Sequence, residues 1–73
     1  MVNQEKEFRF GMVAVKKGYA TADQIIKALE IQVREDLSIG KHRRIGVILL
    51  EQGIVNISQI DEILQILEKK DHL

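Results

Sequence analysis

The densest apolar stretch of the chain is Arg44 to Gly53, Arg-Ile-Gly-Val-Ile-Leu-Leu-Glu-Gln-Gly. Laid out at about 100° per residue, Ile45, Val47, Ile48, Leu49 and Leu50 spread nearly all the way round, and a helix apolar on every side is normally buried. This stretch therefore predicts the central helix of the core. An earlier stretch repeats its pattern. Arg9 to Gln32 aligns with Arg44 to Leu67 at a constant shift of 35 residues without a gap. Seven of the 24 positions are identical: Arg9/Arg44, Gly11/Gly46, Gly18/Gly53, Gln24/Gln59, Ile25/Ile60, Leu29/Leu64 and Ile31/Ile66. Most of the other core positions exchange one apolar residue for another.

Each copy predicts a helix, a tight turn and a second helix. In the first copy the leading helix starts near Gln4 and carries Phe8, Met12 and Val15 on one face and Phe10, Val13 and Ala14 on another. Gly18 stands where a left-handed residue ends such a helix. The next helix starts at Thr21, which with Gln24 has the form of a capping box, flanked by Ala20 and Ile25 as a hydrophobic staple. Ile25, Ile26, Leu29 and Val33 are its expected apolar stripe, with Asp23, Lys27, Glu30 and Arg34 on the water side. The second copy repeats the signals with Asn56 as cap, Gln59 three residues on, and Val55 with Ile60 as the staple. Its last helix is expected to turn Ile60, Ile63, Leu64 and Leu67 inward and Asp61, Glu62 and Glu68 outward. Lys69 and Lys70 near its end complement the helix dipole, and the last three residues are expected to fray. Between the copies, residues 33–43 lose their periodicity around Ser38, Ile39 and Gly40, which predicts a loop. The expected fold is all-α: two tandem helix-turn-helix hairpins form a compact four-helix domain with internal pseudo-symmetry, one domain over residues 1–73.

Composition narrows the function. The 73 residues hold one small core, and the absence of cysteine removes disulfides and thiolate metal sites. Eleven Lys and Arg balance eleven Asp and Glu, so no net field attracts a polyanion. The candidate recognition helices offer Asp23, Glu30, Asp61 and Glu62 where DNA or RNA requires cationic side chains, so no nucleic-acid partner is expected. Met1 to Phe8 lack the order of a secretory signal, and no apolar run approaches the roughly 20 residues that span a bilayer. A cytoplasmic location without membrane insertion is expected. His42 and His72 lack ligand partners at metal spacing, and no nucleophile–base or paired-carboxylate arrangement can be assembled. Neither a metal, a cofactor nor an enzymatic activity is expected.

Gly11 and Gly46 sit inside helices, where glycine costs about 1 kcal/mol relative to alanine, so both need a reason. One is close helix packing. The other is that a bare backbone admits a ligand, whose phosphate the arginine two residues earlier can meet. Arg9 and Arg44, at equivalent places, are suited to flank a two-fold symmetric anion, or are simply solvated. The run Lys41-His42-Arg43-Arg44 before a helix start is either a phosphate site or a solvated loop.

The pattern R-φ-G-x-x-φ-φ-x-x-G-φ-φ-x-x-x-x-φ-x-x-x-φ-x-x-Q, with φ apolar, is carried by RFGMVAVKKGYATADQIIKALEIQ and, with Leu67 in the place of the final glutamine, by RIGVILLEQGIVNISQIDEILQIL. It resembles the tandem motif of the MshEN family, the N-terminal domain of bacterial type II secretion and type IV pilus ATPases. The resemblance implies two helical pairs packed pseudo-symmetrically and, as in many members, binding of cyclic di-GMP between the motifs. It would assign ligand contacts to Arg9, Phe10, Gly11, Gln32, Arg44, Ile45 and Gly46. Without the ATPase that follows in the family, such a domain is expected to pass its signal to another protein. The alternative is a protein-interaction or dimerisation module of the same fold with no small ligand, suggested by the first helix being apolar on two sides. Phe10 separates the two: a ligand contact is partly exposed beside Arg9, and a core residue is inaccessible.

Overall fold

The computed structural model describes residues 4–38, 40 and 43–71. Four helices follow one another, α1 (Gln4–Lys16), α2 (Ala22–Ser38), α3 (Ile45–Glu51) and α4 (Ile57–Asp71). The domain is an all-α four-helix fold. Ile39, Lys41 and His42 of the expected loop lie outside the described residues, as do His72 and Leu73 of the expected fraying end. None of the described helices is long and apolar enough to cross a membrane.

The two turns are built identically by the repeated sequence. After α1, Tyr19 N–H donates to the Ala14 carbonyl at 2.9 Å and Gly18 N–H to the Val15 carbonyl at 3.0 Å. Ile54 N–H to Leu49 and Gly53 N–H to Leu50 repeat these bonds at 2.9 and 3.0 Å after α3. Both are Schellman closures, which require a left-handed residue; Gly18 at φ 78° and Gly53 at φ 75° supply it. Each following helix opens with a reciprocal capping box. Thr21 N–H donates to Gln24 Oε1 at 2.9 Å and Gln24 N–H to Thr21 Oγ1 at 3.1 Å, and Asn56 and Gln59 exchange bonds of 3.0 and 2.8 Å.

Packing departs from this local symmetry. α1 touches all three other helices, and α2 also lies against α3. Phe10, Val13 and Ala14 are the face of α1 that is buried, while Phe8, Met12 and Val15 stay in water. Of the stripe expected on α2, only Ile25 is buried; its buried companions are Ala28 and Gln32, and Ile26 and Val33 are exposed. Gly11 explains this rotation. A Cβ there would lie 2.5 Å from Ile25 Cγ2, so α1 and α2 meet with the Ile25 side of α2 turned inward. On α4, Ile63 is fully buried and Ile60 and Leu67 partly so, whereas Leu64 remains half-exposed. The α3 stretch behaves as a core helix: Ile45, Ile48 and Leu49 are buried, and only Val47 of its aliphatic residues reaches well into solvent.

A polar clasp joins the first turn to α4. Tyr19 Oη donates to Glu62 Oε1 at 2.5 Å, and Lys17 Nζ pairs with Glu62 Oε2 at 2.9 Å. The hydrogen bonds from Lys17 and then Tyr19 hold the Glu62 carboxyl below its ordinary 4.5, and the same contacts raise Lys17 and Tyr19. A depressed carboxyl contributes stability that is present above the ordinary value and is lost as pH falls through the lower folded value. Denaturation at neutral pH and below pH 4.5 should therefore show the gap between the native protein and Glu62→Gln narrowing in acid; a gap independent of pH counts against the clasp. For the helix contact, Gly11→Ala should lower stability by about 1–2 kcal/mol in urea melts, because overpacking outweighs the propensity that alanine gains. A more stable Gly11→Ala protein would contradict it.

Candidate functional site

The two copies pack differently at their equivalent glycines, and a cleft opens there. In the first copy Gly11 is closed against Ile25. The equivalent pair in the second copy is Gly46 and Ile60, but the atoms nearest a Gly46 Cβ all belong to Phe10, with Cζ at 3.1 Å. Phe10 thus takes the place against α3 that Ile25 takes against α1, and α4 stands away from α3. The space left is a cavity of about 510 Å³ between α1, α3 and α4. Its walls are Phe10, Gly46, Val47, Ile60, Leu64 and Leu67, with Lys6, Glu7, Arg9, Arg44 and Glu68 at its polar edge. That volume falls in the range of small-molecule sites, and a mainly apolar wall with a few converging charges is their usual chemistry.

The sequence-derived residues divide. Arg9, Phe10, Arg44 and Gly46 line the cleft; Gly11, Gln32 and Ile45 do not. Gly11 faces Ile25, and Ile45 is fully buried in the core. Gln32 is 1% exposed, and its amide donates to Glu7 Oε1 at 2.9 Å and to the Arg43 carbonyl at 3.0 Å. Phe10, at 4% exposure, meets the expectation for a core residue, although its ring forms part of the cleft wall. Packing, the first of the two reasons for Gly11 and Gly46, applies to both.

Glu7 is a centre that the motif reading missed. It is 3% exposed, and its Oε1 accepts from Gln32 Nε2 and from Ile45 N–H at 3.2 Å, the first N–H of α3. The carboxylate thereby occupies the helix start at which an external phosphate was a candidate. Arg44 Nε lies 3.6 Å from the same oxygen, with 63% of its side chain exposed. Glu7 precedes the repeated segment and has no acidic counterpart in the second copy, so repeat alignment passes over it. Its spacing from Gly11 and Ala14, i, i+4 and i+7, was the available signal of an inward face.

The basic run before α3 also divides. Arg43 is held by Glu35 on α2, Nε to Oε1 at 3.0 Å and Nη2 to Oε2 at 2.6 Å, and by Glu51 on α3. The hydrogen bonds to Glu35 raise its pKa further and make it a brace between the two helices. Arg44 turns the other way, to the cleft. Among the described residues, no group of three or more His, Asp or Glu is placed to hold a metal ion.

Comparison of the chain with protein-family models, with curated proteins and with solved structures finds no match. Cleft geometry and residue chemistry carry the functional argument. Glu7→Ala should cost about 2–3 kcal/mol, since it leaves the Gln32 amide and Ile45 N–H buried without that acceptor. Thermal and urea melts measure this, and a loss below about 0.5 kcal/mol would remove Glu7 from its central role.

Proposed function

We propose that this domain is a regulatory or adaptor module whose α1–α3–α4 cleft binds a flat anionic ligand, with cyclic di-GMP as the molecule to which the paired arginine–glycine motifs point. One observation carries this reading. Arg9 and Arg44, the equivalent arginines of the two copies, border the same mainly apolar cleft. Apolar walls such as Val47, Leu64 and Leu67 suit the faces of a base, and guanidinium groups suit phosphate oxygens. Because Gln32 and the start of α3 are engaged by Glu7, the phosphates would be met by the cationic side chains at the cleft edge, Arg9, Arg44 and Lys6. Binding should weaken with salt accordingly.

Phe10 favours a second reading, a protein-interaction module. At 4% exposure it offers little surface to a base, whereas Val47 at 40% and Leu64 at 50% present aliphatic surface that an apolar side chain of a partner would cover. NMR titration separates the two. Cyclic di-GMP should shift the amides of Arg9, Val47, Leu64 and Leu67, and Arg9→Ala or Arg44→Ala should each weaken binding about tenfold or more. An unchanged spectrum at millimolar nucleotide overturns the nucleotide reading and leaves the protein-interaction one.

A further inference from the structure

α2 contributes nothing to the cleft, yet it carries a row of unburied aliphatic side chains. Ile26 is 53%, Val33 41% and Leu37 77% exposed. The contact of Gly11 with Ile25 fixes how α1 and α2 face each other. In this antiparallel pair, helical phase then sets Phe8, Met12 and Val15 of α1 on the same outer side as Ile26, Leu29 and Val33 of α2. α3 lies on the opposite side, where Phe10 meets Gly46 and Gln32 bonds the Arg43 carbonyl just before α3. A shallow groove of about 390 Å³ runs along α2 between Ile26, Leu29, Glu30, Val33 and Arg34. An apolar face of this extent on so small a domain marks an interaction surface.

Charge identifies the occupant. Beside the aliphatic row, α2 exposes Asp23, Lys27, Glu30 and Arg34, alternating negative and positive. Among the described residues these four side chains form no ion pair. Read backwards, the series has the opposite sign at every place, so it complements itself when two copies run antiparallel and repels itself when they run parallel. We infer that the outer face of α1 and α2 docks a second copy of this chain, α2 against α2 in antiparallel orientation about a two-fold axis at the level of Ala28 and Leu29. Asp23 of each copy then faces Arg34 of the other, and Lys27 faces Glu30. Ile26 seats between the other copy's Leu29 and Val33. Such an interface is isologous and closed, and the chain's zero net charge adds no general repulsion. A helix of 17 residues is about 25 Å long, so the contact lies at the small end of specific interfaces and the dimer is a weak, reversible one.

Sedimentation velocity from about 10 µM to 1 mM, a range that brackets weak association, tests this. The weight-average mass should rise with concentration from near that of one chain toward that of two. Lys27→Glu and Glu30→Lys should each remain monomeric, and the double variant K27E/E30K should regain the dimer, because only antiparallel pairing sets these positions opposite each other. Ile26→Lys, an exposed change that leaves the helical circular dichroism intact, should abolish association. A monomer at every concentration overturns the inference. So does a dimer that survives Ile26→Lys, or a double variant that fails to recover. Cyclic di-GMP binding in the cleft reads out separately in Ile26→Lys, so neither proposal decides the other.

Discussion

A single buried carboxylate holds the core in register. Glu7 reaches from α1 to the first backbone N–H of α3 and to the amide of Gln32 on α2, so three helices converge on one oxygen atom. A buried negative charge is tolerated only when such donors surround it, and here they are a helix N-terminus, a side-chain amide and a nearby guanidinium. The arrangement also decides what cannot happen elsewhere. With Glu7 in place, the start of α3 is filled by the protein itself, and Gln32 faces inward instead of toward a ligand. Arg44 is left to look outward from the same junction.

The second constraint is how closely helices can approach a glycine. At Gly11 the absent side chain is replaced by Ile25, and α1 and α2 close together. At Gly46 it is replaced by the Phe10 ring, which comes from the other copy. One aromatic residue at this place turns a near-symmetric repeat into a domain with a closed hairpin and an open one. The cleft is the consequence, and Val47 and Leu64, which stay half in water, are two of its walls. Leu67, which replaces the glutamine of the first copy, adds to the apolar wall of that cleft.

How far the site could be read beforehand follows from the same two features. Arg9, Arg44 and Gly46 were legible because the repeat marks them, and they do border one cavity. Gln32, singled out by the family pattern and not by the repeat, lies elsewhere, since its destination depends on Glu7, a residue outside the repeat. Ile26 and Val33 illustrate the limit for the fold. Their spacing fits an apolar stripe, but the choice between two adjacent stripes on α2 belongs to the partner helix, and Gly11 chose the one containing Ile25 and Ala28.

Local chemistry is what the sequence determined by itself. Gly18 and Gly53 end helices because a Schellman closure needs a left-handed residue, and Thr21–Gln24 and Asn56–Gln59 start helices because each pair satisfies its own free N–H groups. These interactions span three to six residues, so adjacent letters suffice to read them. The tertiary structure decided everything that links distant letters: which face of α1 and α2 is buried, where Glu7 points, and that Arg9 and Arg44 share a cleft. Those outcomes depend on the relative size of side chains meeting across 14 or more residues, Phe10 at Gly46 above all, and identical local grammar in the two copies carries no record of that difference.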